Sequence, residues 1–135
     1  MKDNRLEKAN MLIEVISSWD REFFKYKGRL SYFTIGNRDH RLWFVDKYTE
    51  RYLPCWRNKN NWRYSSYNWS RYFSDGGTLK ALVKDLATYI MTGEKLPNHF
   101  VPLSKWYCGR DNYWDYSKEG MDKIRKFYKE NFHEV

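Results

Sequence analysis

Residues 30 to 54 read LSYFTIGNRDHRLWFVDKYTERYLP, and this stretch decides the fold. It contains three short runs rich in β-branched and aromatic residues, LSYFTI, RLWFV and YTERYL, which the turn formers GNRDH and DK separate. The pattern predicts three antiparallel strands joined as a meander. Pro54 has no N–H to donate to a neighbouring strand, so the third strand should end there.

A long amphipathic helix is predicted before the meander. From Asn4 to about Lys27 the apolar residues recur every three or four positions, a spacing that places them on one helical face. Asn4 and Glu7 have the spacing of a capping box, and Gly28 suits the left-handed position that ends a helix. The apolar positions are Leu6, Ala9, Leu12, Ile13, Ile16, Trp19 and Phe23.

Two further helices are predicted after the meander. The first covers residues 78 to 92, ends at Gly93, and has its apolar face at Leu79, Leu82, Val83, Leu86 and Ile90. The second begins after the N-cap candidate Ser117, with Tyr116 and Met121 at hydrophobic-staple spacing and an apolar stripe through Ile124, Phe127, Tyr128 and Phe132. No composition break or flexible linker divides the chain. We therefore expect one α+β domain over residues 1–135: an N-terminal helix, a three-stranded antiparallel meander and two further helices.

Composition narrows the class of protein. A chain of 135 residues has the size of one domain, and an aromatic content of 20% predicts a core built largely from rings. No run of 18 apolar residues occurs and no signal peptide begins the sequence, so a cytoplasmic protein is expected. Cys55 and Cys108 are expected as free thiols in that compartment, with a disulfide between them left open.

Residues 56 to 72 read WRNKNNWRYSSYNWSRY and form the candidate binding stretch. The stretch has six aromatic rings and four bases, half of the chain's net charge of +8, with no acid and no aliphatic residue. Rings can stack on unpaired bases, and Lys or Arg can contact phosphates, so this composition suits single-stranded nucleic acid. The predicted binding residues are Trp56, Arg57, Lys59, Trp62, Arg63, Tyr64, Tyr67, Trp69 and Arg71.

Two other interpretations of the same stretch stay open. Trp62, Tyr64 and Trp69 would belong to the core if the arginines only stack over them as surface cation–π pairs. The stretch equally suits a protein interface, where Trp, Tyr and Arg are the enriched hot-spot residues.

The segment FSDGGTLKALVKDLATYIMTGEKL, residues 73–96, resembles small accessory proteins encoded by bacteriophages of Gram-positive hosts. The resemblance covers about a sixth of the chain and carries over no catalytic residue. It implies a protein made to bind a host component, and some proteins of this kind block restriction or CRISPR nucleases.

Motifs for catalysis or cofactor binding are weak. SDGGT before the second helix has glycines but no P-loop lysine, so capping by Ser74, Asp75 or Thr78 explains it. A Cys108–His99 pair, or a metal site chosen from Asp39, Asp46, Glu50 and Lys47, matches no recognised spacing. We therefore expect no cofactor, no metal and no enzymatic activity. A small nuclease or other enzyme without a recognisable motif stays open as a further alternative to the two hypotheses below.

Two functional hypotheses follow from the basic aromatic stretch together with what the resemblance to phage accessory proteins implies. The first is a non-enzymatic binding module that engages nucleic acid or a nucleic-acid-handling host complex. The second is an inhibitor of a host defence nuclease, of the anti-CRISPR or anti-restriction type, that acts by protein–protein contact. Both place the protein in the cytoplasm, that of the host bacterium if it is phage-encoded, and neither involves a membrane.

Overall fold

The computed structural model describes residues 4–38, 40–55, 77–94, 96 and 116–132. In chain order the elements are α1 (Arg5–Ser17), β1 (Lys25–Tyr26), β2 (Arg29–Leu30), β3 (Tyr32–Ile35), β4 (Leu42–Asp46), β5 (Arg51–Pro54), α2 (Gly77–Thr92) and α3 (Lys118–Phe132). The fold is α+β, with the predicted N-terminal helix, three-stranded antiparallel sheet and two later helices.

The three-stranded sheet has the strand order β3-β4-β5, as the meander pattern predicts. Phe33, Phe44 and Leu53 stand side by side in the antiparallel register and are all buried. The last strand ends at Pro54, also as predicted. Because side chains alternate between the two faces of a strand, this row of three marks the face that lies on the core.

Helix α1 lies at the centre of the packing. It contacts β3 and both later helices, and α2 packs mainly on α1 rather than on the strands. Its inward face is fully buried at Ala9, Leu12, Ile13 and Ile16. Burying such side chains stabilises the fold by roughly 1.5–3 kcal/mol for each large aliphatic residue.

Asn10 of α1 holds the outer edge of β3. Its Nδ2 donates to the carbonyl oxygen of Phe33 at 3.0 Å, and its Oδ1 accepts from the N–H of Phe33 at 2.6 Å. One side-chain amide thus takes the place of a neighbouring strand for this residue. An unpaired strand edge is a site for unwanted pairing with other chains, and here the helix covers it.

The first helix ends at Ser17, so the predicted extension to about Lys27 is wrong. The hydroxyls of Ser17 and Ser18 both donate to the carbonyl of Glu14 at 2.8 Å and so occupy acceptor capacity at the helix end. Beyond it, left-handed φ values recur at Asp20, Glu22, Phe24 and Lys27, a conformation that no right-handed helix contains. Gly28, at φ +78°, therefore turns the β1–β2 hairpin instead of ending the helix.

Tyr116 fixes the loop after α1, in which Trp19 and Phe23 keep the apolar spacing of a helix. Its hydroxyl donates to the carbonyl of Ile16 at 2.8 Å and accepts from the N–H of Phe23 at 3.2 Å, while its ring stacks on Phe23 at 5.3 Å. Trp19 and Phe23 thus pack against the core from a loop. A residue about a hundred positions away fixes that loop, and no local periodicity can show such a contact.

The predicted helices α2 and α3 are both present, with the buried face of α2 and the cap of α3 where they were predicted. The five residues of the predicted α2 face are buried, and Gly93 follows the helix at φ +84°. Ser117 caps α3, since its hydroxyl accepts from the N–H of Gly120 at 3.0 Å. Asn4 occupies the N-cap position of α1, but its side chain makes no capping hydrogen bond, so that part of the prediction is wrong.

Candidate functional site

All the binding residues predicted in residues 56–72 lie outside the described part of the chain: Trp56, Arg57, Lys59, Trp62, Arg63, Tyr64, Tyr67, Trp69 and Arg71. The structure does show where the chain enters this stretch. The N–H of Cys55 donates to the carbonyl of Leu42 at 2.9 Å, which extends the β4–β5 pairing by one residue. The described part of the third strand therefore ends beside the turn at residues 36–41.

A second set of rings lies on the sheet face opposite to the core. We call this the outer face, formed by Tyr32 and Thr34 of β3, Trp43 and Val45 of β4, and Tyr52 and Pro54 of β5. Strand alternation places these six residues on one side, away from the row of Phe33, Phe44 and Leu53. Half of these side chains are aromatic. Of the six, Tyr52 is exposed, Val45 is buried and the other four are half-buried.

Tyr32 and Tyr52 flank the middle of the outer face. Both stand directly opposite Val45 in the register, one on each side. Val45 between them is only 2% exposed, although it lies outside the main core. Burial, and then Tyr52, raise the pKa of the Tyr32 hydroxyl above its ordinary value.

Further contacts connect these rings with each other and with a cation. Trp43 and Tyr52 are diagonal neighbours whose ring centroids are 6.5 Å apart at an interplanar angle of 73°. The ammonium of Lys47 lies 5.7 Å from the centroid of the Tyr32 ring, within cation–π range. The outer face thus combines aromatic surface with positive charge.

Another pair of rings lies near the β4–β5 turn. Tyr26 of the hairpin and Tyr48 of the turn have centroids 4.7 Å apart, and the ammonium of Lys27 lies 5.3 Å from the Tyr26 ring. Tyr48 is 40% exposed. The combination of tyrosine and lysine therefore occurs twice at this end of the sheet.

The acids described in the sheet and its turns have structural partners. Asp46 is buried, and its carboxylate accepts from the N–H of Tyr48 at 3.1 Å and from the hydroxyl of Thr49 at 3.2 Å. Glu50 forms an ion pair with Arg29 of β2. Both carboxylates thus have partners in the β4–β5 turn or the β1–β2 hairpin.

The sequence contained a signal for the outer face that the predicted site did not use. Within the three predicted strands, the residues that alternate with Phe33, Phe44 and Leu53 include Tyr32, Trp43 and Tyr52. A meander with rings on both faces indicates either a second layer or a binding surface. These strands contain few charged residues, whereas residues 56–72 combine rings with bases, so the composition pointed to residues 56–72 as the binding site.

The remaining chemical candidates are placed only in part. Cys55 is a free cysteine, 1% exposed, and burial raises the pKa of its thiol far above the ordinary value. His40 lies exposed in the predicted turn with a left-handed φ of +55°, whereas Asp39, His99, Cys108 and the SDG of SDGGT fall outside the described residues.

Over the described ranges, no three His, Cys, Asp or Glu side chains cluster in a way that could hold a metal ion. A search of the same ranges finds no helix with the length and apolar character needed to span a bilayer.

The fold and the outer face together define a small α+β protein. Its three-stranded sheet packs on a helix with one face and carries aromatic side chains on the other face. More particularly, the chain belongs to the YoqU family, whose model matches residues 2–133. The YoqU family consists of proteins of the type found in Bacillus phages. No curated protein and no solved structure matches the chain.

Proposed function

We propose that this protein is a non-enzymatic binding module, encoded by a phage, that engages nucleic acid in the host cytoplasm through a basic aromatic surface. The observation that carries the proposal is the outer face, where Tyr32, Trp43 and Tyr52 stand beside Lys47. Aromatic faces that stack on bases, combined with cations that contact phosphates, are the two components of single-strand recognition. The membership of a phage-type family supports the phage origin.

The basic aromatic stretch would extend this surface along the chain. It begins at Trp56, directly after Cys55, and Cys55 is still paired to β4. In this proposal Arg57, Lys59, Arg63 and Arg71 contact phosphates, and Trp56, Trp62, Tyr64, Tyr67 and Trp69 supply rings. The missing acids then have a physical reason, because a carboxylate would repel the phosphate backbone.

Salt-dependent binding tests the proposal. The affinity for a labelled mixed-sequence oligonucleotide should fall log-linearly with salt, with a slope near −0.7 for each phosphate contact on a single strand. Changing Arg57, Lys59 and Arg63 to Glu should abolish binding with little loss of thermal stability, because exposed charges usually contribute less than about 0.5 kcal/mol each to folding.

A matched control separates a local contact from net charge. Lys123, Lys126 and Lys129 are exposed on α3, and changing all three to Glu alters the net charge by the same amount. This control should retain most of the affinity. Equal losses in both triple variants, or full affinity in the first, would contradict a binding surface at residues 57–63.

A protein-directed inhibitor is the second candidate, since exposed rings such as Tyr52 and half-buried ones such as Trp43 are also typical of interface hot spots. In this alternative the protein binds a host nuclease complex of the CRISPR or restriction type. An interface held by buried rings responds weakly to salt, whereas phosphate contacts respond steeply. A pull-down from bacterial lysate with and without nuclease treatment distinguishes the two, because a partner held through nucleic acid is lost after digestion.

A further inference from the structure

Tyr52 is the most exposed ring of the outer face. It lies on β5, the last strand of the described sheet, and is 59% exposed. Trp43 approaches it with its ring nearly perpendicular, and Tyr32 lies across Val45 on the same face. Tyr52 is therefore held in position by its neighbours while most of its surface faces solvent, the arrangement that a stacking platform needs.

The geometry of the ring pair restricts what can lie on it. Bases within a duplex are parallel and about 3.4 Å apart along each strand. The rings of Trp43 and Tyr52 are 6.5 Å apart and inclined by 73°, so two consecutive bases placed on them could be neither parallel nor in stacking contact with each other. Only a strand whose bases have separated can match this pair.

Cations flank the rings at both ends of the strands. Lys47 follows β4 at one end, and the β3–β4 turn at the other end carries the exposed Arg38. A nucleic-acid backbone that crosses the outer face from one end to the other would meet a positively charged side chain on each side of the rings. In the described sheet and turns the acids are Asp46 and Glu50, and both are engaged elsewhere.

We infer that the outer face of the three-stranded sheet binds unpaired bases of a single-stranded nucleic acid, with Tyr52 as the stacking ring and Lys47 as a phosphate contact. This inference rests on the proposed nucleic-acid function and specifies the state of the nucleic acid that is bound. A duplex keeps its base faces inside the helix, out of reach of a ring on a sheet surface. Discrimination between single strand and duplex therefore follows from the ring geometry.

The test measures fluorescence anisotropy with labelled oligonucleotides of about 12 nucleotides, within the range that one small domain covers. Mixed-sequence single-stranded DNA, single-stranded RNA and the matching DNA duplex are compared on the full chain. The wild-type protein should bind at least one single strand about tenfold more tightly than the duplex. Tyr52→Ala should weaken single-strand binding by about 5-fold to 150-fold, the range expected for one stacked base.

Three further variants separate stacking from other effects. Tyr52→Phe keeps the ring and loses only the hydroxyl, so its affinity should stay within about twofold of the wild type. Tyr52→Leu keeps apolar bulk without a π-face and should bind as weakly as the Ala variant. Ile35→Ala is the control, because Ile35 is exposed on the opposite side of the same sheet and should not affect binding.

The possible results are distinguishable. Equal affinity for single strand and duplex, or full affinity in Tyr52→Ala or Tyr52→Leu, would overturn the stacking inference and leave nucleic-acid binding intact. A wild-type protein that binds none of the three oligonucleotides would overturn the proposed function itself. Circular dichroism of each variant confirms that the fold is retained, as the exposure of Tyr52 leads us to expect.

Discussion

Replacing Asn10 with Ala removes both hydrogen bonds that hold the edge of β3 and tests how α1 is attached to the sheet. The bonds join the Asn10 amide to the N–H and the carbonyl of Phe33, at 2.6 Å and 3.0 Å. Phe33 itself is 1% exposed, so its two backbone groups would lose their partners close to the core. No compensating bond is available from an alanine side chain.

The expected loss can be worked out from these contacts. Each buried backbone group left without a partner costs about 1–3 kcal/mol, and because Asn10 is half-buried, water can reach part of the site and keeps the sum near the low end. Alanine is also a better helix former than asparagine by up to about 0.7 kcal/mol. We therefore expect the free energy of unfolding to fall by about 1.5–3 kcal/mol.

Urea denaturation at neutral pH measures this loss, and Asn131→Ala provides the matched control. Asn131 is also a half-buried helical asparagine, but its Nδ2 makes one local bond, to the carbonyl of Phe127 at 2.9 Å, so its removal should cost less than about 1 kcal/mol. Hydrogen exchange adds a local measurement, because the Phe33 amide should lose its protection only in the Asn10 variant. Equal losses in the two variants, or an unchanged exchange rate at Phe33, would refute the attachment.

An Asn10→Asp variant adds a dependence on pH. A protonated carboxyl can donate to the Phe33 carbonyl and accept from its N–H, whereas the ionised form repels the carbonyl. The pKa of this new group should therefore be raised in the folded state above its ordinary value of about 3.9. Relative to the wild type, the variant should be most stable below that value and lose stability as the pH rises through the raised pKa.

Other parts of the fold give further predictions. Leu86→Ala removes a fully buried side chain from the core and should lower the free energy of unfolding by about 2–5 kcal/mol in urea denaturation; a loss below about 0.5 kcal/mol would contradict its core position. Ser117→Ala removes the acceptor for the Gly120 N–H and should cost about 0.5–2 kcal/mol, with fraying at the start of α3 visible by hydrogen exchange. In a Cys108→Ser background, Cys55 should resist a thiol reagent until the protein is unfolded by urea, because its thiol is buried and its pKa is raised; rapid labelling of the folded protein would show that β5 opens.

The elements that local chemistry specifies were predictable. The period of two in residues 30–54, closed by Pro54, specified the sheet and its strand order. The apolar face of α2 with its terminal Gly93, and the capped start of α3 at Ser117, were equally readable because helix signals repeat within a few residues. In these segments the side chains that specify the element are also the ones that it buries.

The end of α1 needed the tertiary structure. Trp19 and Phe23 continue the helical spacing, but the residues between α1 and β1 include several with left-handed φ values. Tyr116 stabilises this conformation through its hydrogen bonds to Ile16 and Phe23. The hydrogen bonds and the ring contact with a distant residue outweigh the local preference, which amounts to only tenths of a kilocalorie per residue. The two-stranded hairpin around Gly28 follows from the same loop.

The candidate site shows the same division. Composition alone indicated a basic aromatic binding surface and located it in residues 56–72, which lie beyond the described residues. The rings of the outer face were visible in the sequence as strand residues, but only the register placed Tyr32 and Tyr52 on either side of Val45 and Trp43 diagonally from Tyr52. Sequence by itself determined which residue types the protein offers, because composition and period are local properties. The tertiary structure decided which of them share a face, because strand register is set by pairing between segments that are distant along the chain.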